Sequence, residues 1–177
     1  MSSYLLDTNI ICALVSPRHS NHVQATAKLR GLTPERIFLP LIAIAEIRFG
    51  LAAVDNADQA QRAELERFFD TYPSPYGFDE HTVEPYSLLR AQLFRTWATR
   101  DRRGRGFVQK QVWELVDQVT GRELGIDEAD LLIVSTAVEY NLTLATNDQN
   151  AKTKRIEEAA ASLQADGKQV HLRIEYR

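Results

Sequence analysis

Short apolar runs alternate with helix-period stretches along this chain, and that alternation restricts the architectures open to it. Tyr4-Leu5-Leu6 leads through Asp7-Thr8-Asn9 into apolar Ile10 to Val15; Ile37 to Leu39 precedes Pro40 and a helical stretch from Leu41 to Val54; Leu142 to Ala145 precedes a polar helix from Asn150 to Gln164. The short runs read as buried strands and the longer periodic segments as helices. Their order predicts an α/β fold in three layers, with a mostly parallel central sheet flanked by helices. In such sheets, sites form beyond the carboxyl ends of strands.

The other segments fit the same plan. Asn21 caps a helix to about Arg30, closed by Gly31; Asp55-Asn56 stop the helix that begins at Leu41 and cap another from Ala57 to about Phe69. Tyr72 to Gly77 is a loop, with a short extended piece near Phe78. Two helices, His81 to Thr99 and Phe107 to Thr120, are expected on either side of Arg100 to Gly106, with Trp97 and Trp113 as packing anchors. Asp127 to Tyr140 is a strongly apolar helix and Val170 to Ile174 a final strand. No repeat or linker divides the sequence, which predicts a single domain over 1–177 with an extended helical and basic segment at about 81–120.

Composition narrows the function classes. The chain is 44% hydrophobic and 25% charged, the mixture of a globular domain with a real core. Its formal charge of −3 excludes a polycation that binds nucleic acid through bulk charge, so any nucleic-acid surface must be local. Cys12 is the single cysteine, which rules out a disulfide framework and a Cys-based zinc site and points to the cytoplasm. The apolar start, Met1 to Val15, has no basic n-region and carries Asp7 and Asn9, so neither a signal peptide nor membrane insertion is expected.

Four acids stand where an ordinary surface acid is not the obvious reading: Asp7 after the first strand, Glu46 inside an apolar helix, Asp130 opening Leu131 to Val134, and Asp148 after the strand at Leu142. Helix capping is the plainer explanation for Asp7, Asp130 and Asp148 taken singly; Glu46, a carboxylate inside an apolar helix, is harder to explain as an exposed stripe residue. Against this, the carboxyl ends of neighbouring central strands would deliver Asp7 and Asp148 to one edge, and helix starts could add the others to an acidic pocket.

Tyr4-Leu5-Leu6-Asp7-Thr8-Asn9-Ile10, Ile44-Ala45-Glu46-Ile47-Arg48-Phe49-Gly50, Asp130-Leu131-Leu132-Ile133 with Ala137, and Ala145-Thr146-Asn147-Asp148 resemble, in this order, the acidic motifs of PIN-domain nucleases, especially VapC-type toxins. The resemblance implies a PIN-like fold, dimerisation, Mg²⁺- or Mn²⁺-dependent cleavage of RNA to 5′-phosphate and 3′-hydroxyl ends, and a cognate antitoxin. It makes Asp7, Glu46, Asp130 and Asp148 the catalytic and metal-binding set, with Thr8, Asn9 and Thr146 in support. Asp127, outside that set, lies one helical turn before Asp130, where spacing allows an auxiliary ligand but a helix-start acid is the plainer role. The segment from His81 to Thr120 is longer than in a typical small toxin.

The residue types suit that chemistry. Two carboxylates ~5 Å apart repel by roughly 3 kcal/mol at an effective dielectric of 20, so converging acids call for protons, a cation or an arginine. Hard oxygen ligands favour Mg²⁺ or Mn²⁺, which can lower the pKa of a bound water and shield a phosphate. An antitoxin arginine inserted among the acids would displace such a cation, and the apolar helix Leu41 to Leu51 offers either a partner surface or ordinary core packing.

Residues 90–110 hold seven basic side chains against Asp101, a local charge of +6 that leaves −9 for the rest. Arg100, Arg102, Arg103 and Arg105 are either RNA contacts or part of a solvated helix face and flexible loop. Gly104-Arg105-Gly106 lacks the Lys-Ser/Thr of a P-loop. His19 and His22 have no third zinc ligand nearby, and Cys12 has no neighbouring base. Two other functions stay open. One is a catalytically inactive PIN-like module that binds RNA or a protein partner. The other is a phosphatase with Asp7 as an aspartyl-phosphate nucleophile, although Asn9 stands where such enzymes place a second acid.

Overall fold

The computed structural model describes residues 3–54, 59–72, 75–148 and 150–176. The chain divides into two compact units. The first comprises Met1–Phe78, Leu142–Asp148 and Arg173–Arg177; the second comprises Asp79–Asn141 and Gln149–Leu172.

The first unit contains the sheet. Its strands are β1 (Tyr4–Leu6), β2 (Ile37–Phe38), β3 (Thr143–Thr146) and β4 (Arg173–Tyr176), in the order β2-β1-β3-β4 and all parallel. Tyr4 pairs with Ile37 on one side and Thr143 on the other, while Thr143 also pairs with Arg173. Every residue of β1 and β3 is buried, the mark of central parallel strands covered on both faces. The chain leaves β1 for β2 on one side and later enters β3 on the other. This reversal is a topological switch point, and the ends of β1 and β3 flank it.

Helices α1 (Thr8–Val15), α2 (His22–Leu29), α3 (Leu41–Ala52) and α4 (Gln59–Asp70) complete this unit. α1 starts directly after Asp7, two residues earlier than the apolar run Ile10 to Val15 suggests, and buries Ile10, Ile11 and Ala13. The extended piece expected near Phe78 is a single parallel bridge between Pro40 and Tyr76, closed by Leu41 N–H donating to the Tyr76 carbonyl at 2.7 Å. The predicted stop and cap at Asp55-Asn56, the helix start at Ala57, and Pro73-Ser74 of the predicted loop lie outside the described residues.

The second unit is helical: α5 (Val83–Trp97), α6 (Glu128–Glu139) and α7 (Ala151–Ala165), with α5 packed on both of the others. The expected helix from Phe107 to Thr120 is not formed. That stretch holds one 3₁₀ turn, Val112–Glu114, followed by a hairpin in which Val116 bridges Glu123 and Leu124 N–H donates to the Leu115 carbonyl. Its apolar pattern is only partly used: Val112 and Leu115 are buried, Val108, Trp113 and Val119 are exposed, and the buried Leu124 and Ile126 lie beyond it. Side-chain bonds to the backbone overrode it: Asp117 Oδ1 accepts from Val119 N and Thr120 N, and Glu114 Oε2 from Lys110 N and Gln111 N. Trp113, expected as an anchor, is 50% exposed, whereas Trp97 lies under the Arg155 guanidinium at 5.4 Å.

Residues 100–107 are not a loose loop. Arg100 bridges Phe107, Asp101 N–H donates to the Gly106 carbonyl, and Asp101 Oδ1 accepts from Arg103 N and Arg105 N. Gly104 sits at φ +65°, a left-handed turn position that glycine adopts without strain, and a Cβ on Gly106 would lie 3.2 Å from Asp101 Oδ2. The Gly-x-Gly fragment therefore makes a tight turn.

Candidate active site

The first unit places Asp7 and Asp148 just past the carboxyl ends of β1 and β3. Asp7 N–H donates to the Ala145 carbonyl at 2.9 Å, extending the β1–β3 ladder by one residue and pinning Asp7 beside the end of β3. Asp7 occupies the N-cap position of α1, but its side chain makes no capping bond. Instead Thr146 Oγ1 donates to Asp7 Oδ2 at 2.7 Å, and Asp148 N–H donates to Thr146 Oγ1 at 3.0 Å. The Thr146 hydroxyl is thus at once donor and acceptor, 1% exposed, and links the two acids that flank the switch point. Asp148 is itself buried, two residues before the N-cap position of α7, which Asn150 occupies.

Glu46 enters from α3. It is half-buried, not on an exposed stripe, and its Oε2 accepts from Thr8 Oγ1 at 2.7 Å. Consecutive residues Asp7 and Thr8 therefore reach, respectively, the end of β3 and α3. Cys12, one turn along α1, registers both carboxylates: burial first, then the charges of Asp7 and Glu46, push its thiol above the ordinary value. This keeps the sulfur protonated, as befits a packed thiol. Asn9 is exposed in the first turn of α1 and makes no side-chain hydrogen bond among the described residues.

Asp130 belongs to the second unit. It stands at the third position of α6 in a reciprocal capping box, with Asp130 N–H donating to Asp127 Oδ1 at 2.8 Å and Asp127 N–H to Asp130 Oδ2 at 3.1 Å. Asp127 is thus the helix cap. Lys152 Nζ donates to both Asp130 oxygens, at 3.0 and 3.2 Å. Burial raises the Asp130 pKa, against the pull of Lys152. Sequence reasoning missed Lys152, although a signal existed: a lysine in the first turn of a helix opposes the macrodipole and so calls for a nearby acid.

Among the described residues no three acidic, histidine or cysteine side chains stand close enough together to hold one ion. The donor set nevertheless suits a hard cation in kind, because Asp7, Glu46, Thr8 and Thr146 offer only oxygen. Mg²⁺ is commonly held through one or two carboxylates, with water and substrate phosphate filling the other positions. His19 and His22 are engaged elsewhere: His19 Nδ1 accepts from Asn21 N–H, and His22 Nδ1 lies 2.9 Å from the Ala13 carbonyl.

A family model for the PIN domain matches residues 4–158, which takes in β1, α3, α6 and β3 and every acid of the set. The chain belongs to the PIN domain family. No curated protein matches its sequence. Solved structures share the fold. VapBC2 from Rickettsia felis, bound to a DNA fragment from its promoter, aligns at 21% identity over 97% of this chain and 98% of that one, with a TM-score of 0.60. FitAcB from Neisseria gonorrhoeae aligns at 24% identity over 86% and 92%, with a TM-score of 0.58. VapBC-5 from Mycobacterium tuberculosis, of the VapBC family of toxin-antitoxin systems, aligns at 20% identity over 99% and 100%, with a TM-score of 0.52. The α/β PIN-like fold with its all-parallel sheet is the common element.

Proposed function

We propose that this PIN domain is a metal-dependent endoribonuclease, the toxin of a type II toxin-antitoxin pair. The observation that carries the reading is the Asp148–Thr146–Asp7 chain at the switch point, with Glu46 held to Thr8 beside it. Family membership and structural neighbours named as VapBC and toxin-antitoxin proteins support it.

Thr146 and Thr8 donate to Asp7 and Glu46, fixing each carboxylate in one orientation so that little reorganisation is needed when substrate arrives. Asp7 and Glu46 would hold Mg²⁺ or Mn²⁺, with Asp148 beside them. A bound cation of this kind supplies a water of lowered pKa, shields the phosphate and stabilises the leaving alkoxide. Without a cation the acids would repel an RNA phosphate, so the side chains by themselves make a poor nuclease. Asp130, engaged by Lys152 in the second unit, is the remaining acid of the family motif, and its role in cleavage is part of the proposal.

The toxin reading brings a cognate antitoxin, an arginine of which would neutralise these acids, and a homodimer working in the cytoplasm. No helix among the described residues is long and apolar enough to cross a membrane. The decisive experiment incubates purified protein with defined tRNA, rRNA and single-stranded DNA, with EDTA, Mg²⁺ or Mn²⁺, beside Asp7→Asn and Asp130→Asn. Expected is RNA cleavage that EDTA abolishes and each substitution slows by about a hundredfold or more, several kcal/mol of lost charge stabilisation at 1.36 kcal/mol per tenfold. Unchanged cleavage by Asp7→Asn would falsify the reading; binding without cleavage would leave an inactive module, and cleavage of DNA alone a different nuclease.

A further inference from the structure

The basic segment acquires a shape in the second unit that its sequence does not disclose. Beside the turn at 100–107 lies a shallow, open cleft of about 370 Å³, lined by Tyr86, Arg90, Phe94, Phe107 and Lys110 among others. Phe107 belongs to both features. It closes the turn by its bridge to Arg100, carries the Arg100 guanidinium 4.3 Å from its ring centre, and packs on Phe94 at 5.6 Å.

The charges are divided between cleft and turn. In the cleft, Arg90 bonds Glu128 at 3.1 Å and lies over Phe94 at 5.6 Å, and Tyr86 OH donates to the other Glu128 oxygen at 2.8 Å. The cleft is therefore aromatic and close to neutral apart from Lys110 at its rim. Arg90 Nε is buried without a hydrogen-bond acceptor among the described residues. In the turn, Asp101 is engaged by backbone N–H groups, while Arg102, Arg103 and Arg105 are exposed.

We propose that this surface is a track for single-stranded RNA, in which one base enters the aromatic cleft and the flanking phosphates lie along the arginine turn. An aromatic platform beside a row of cations is the combination that binds single strands, through stacking and counterion release respectively. An acidic peptide would use the arginines but has no use for the neutral aromatic cleft, and this decides for RNA. The inference rests on the nuclease reading only for the choice of RNA as the strand.

The test is fluorescence anisotropy with a labelled single-stranded RNA of mixed sequence and an abasic ribose-phosphate oligomer of equal length. It is measured on full-length Asp7→Asn protein across a salt series, so that cleavage does not intrude. RNA is expected to bind more tightly than the abasic oligomer, by about tenfold for one stacked base. Phe107→Leu removes that difference and Phe107→Tyr restores it. The combined Arg102→Gln, Arg103→Gln, Arg105→Gln variant lowers the slope of log K against log salt by about 2, at ~0.7 per phosphate contact. Equal binding of the two oligomers, or an unchanged slope in the folded triple variant, overturns the proposal, and neither result needs a cleft variant that folds. An oligo-glutamate peptide that displaces RNA while Phe107→Leu binds like the parent also overturns it. Cleavage is not read, so a chain that binds this way but cuts nothing would remove the nuclease reading alone.

Discussion

A single hydroxyl decides how the acidic edge of the sheet is organised. Thr146 is almost fully buried, donates to Asp7 and accepts from the backbone of Asp148, so its methyl-for-hydroxyl replacement changes little volume and two hydrogen bonds. Thr146→Val is expected to lower stability by about 1–3 kcal/mol, because the buried Asp148 N–H loses its acceptor. It should also slow RNA cleavage by roughly tenfold or more as Asp7 loses its fixed orientation, whereas Thr146→Ser keeps both. Urea unfolding and single-turnover cleavage on the same preparations check this, and a Val variant indistinguishable from the parent would remove Thr146 from the site. The residue scale also separates acids that look alike in sequence. Asp7, Asp130 and Asp148 all stand at predicted helix starts, yet Asp127 caps α6, Asp130 serves as its box partner, and Asp7 turns its side chain to Thr146 instead of its own helix.

At the scale of elements, the stretch expected as a helix from Phe107 to Thr120 shows how local polar bonds redirect an amphipathic pattern. Asp117 holds the hairpin there, accepting from Val119 and Thr120 backbone groups and from Arg155 at 3.0 Å. Those bonds, the two backbone ones first, hold its carboxyl below the ordinary value. A depressed carboxylate contributes stability that is fully present above its unfolded pKa of about 4 and is lost as pH falls through the lower folded value. Thermal melts should therefore show Asp117→Asn below the parent at pH 7, with the gap closing below about pH 4; a gap that widens on acidification contradicts this account. In the turn that follows α5, Asp101 plays the same part: its carboxylate ties backbone groups together, and the neighbouring arginines are left presented to solvent.

At the scale of the molecule, a net charge of −3 conceals a segment of +6 among residues that otherwise sum to −9. The bases concentrate in residues 90–110, and the RNA track proposed above would use this local charge on a chain that is acidic overall. α3, which also carries Glu46 and Arg48, leaves Leu41 and Phe49 exposed at 50% and 74%. Such residues are costly to leave in water, and the homodimer proposed above is expected to give a light-scattering mass near twice the 20.1 kDa of one chain. A monomer mass at micromolar concentration would set that part of the proposal aside.

From the amino-acid order alone came the parallel α/β architecture, the strands that carry it and the family, because hydrophobic period and short motifs are local properties that survive without knowledge of partners. The second helix of the 81–120 segment was misread for the complementary reason: periodicity reports which residues are buried, and Val112 and Leu115 are buried, but it does not report whether a helix or a hairpin buries them. Long-range choices lay beyond sequence altogether. That Thr146 meets Asp7 across 139 residues, that Thr8 reaches Glu46, and that Lys152 takes up Asp130 depend on strand register and helix docking, which are settled by packing of the whole chain.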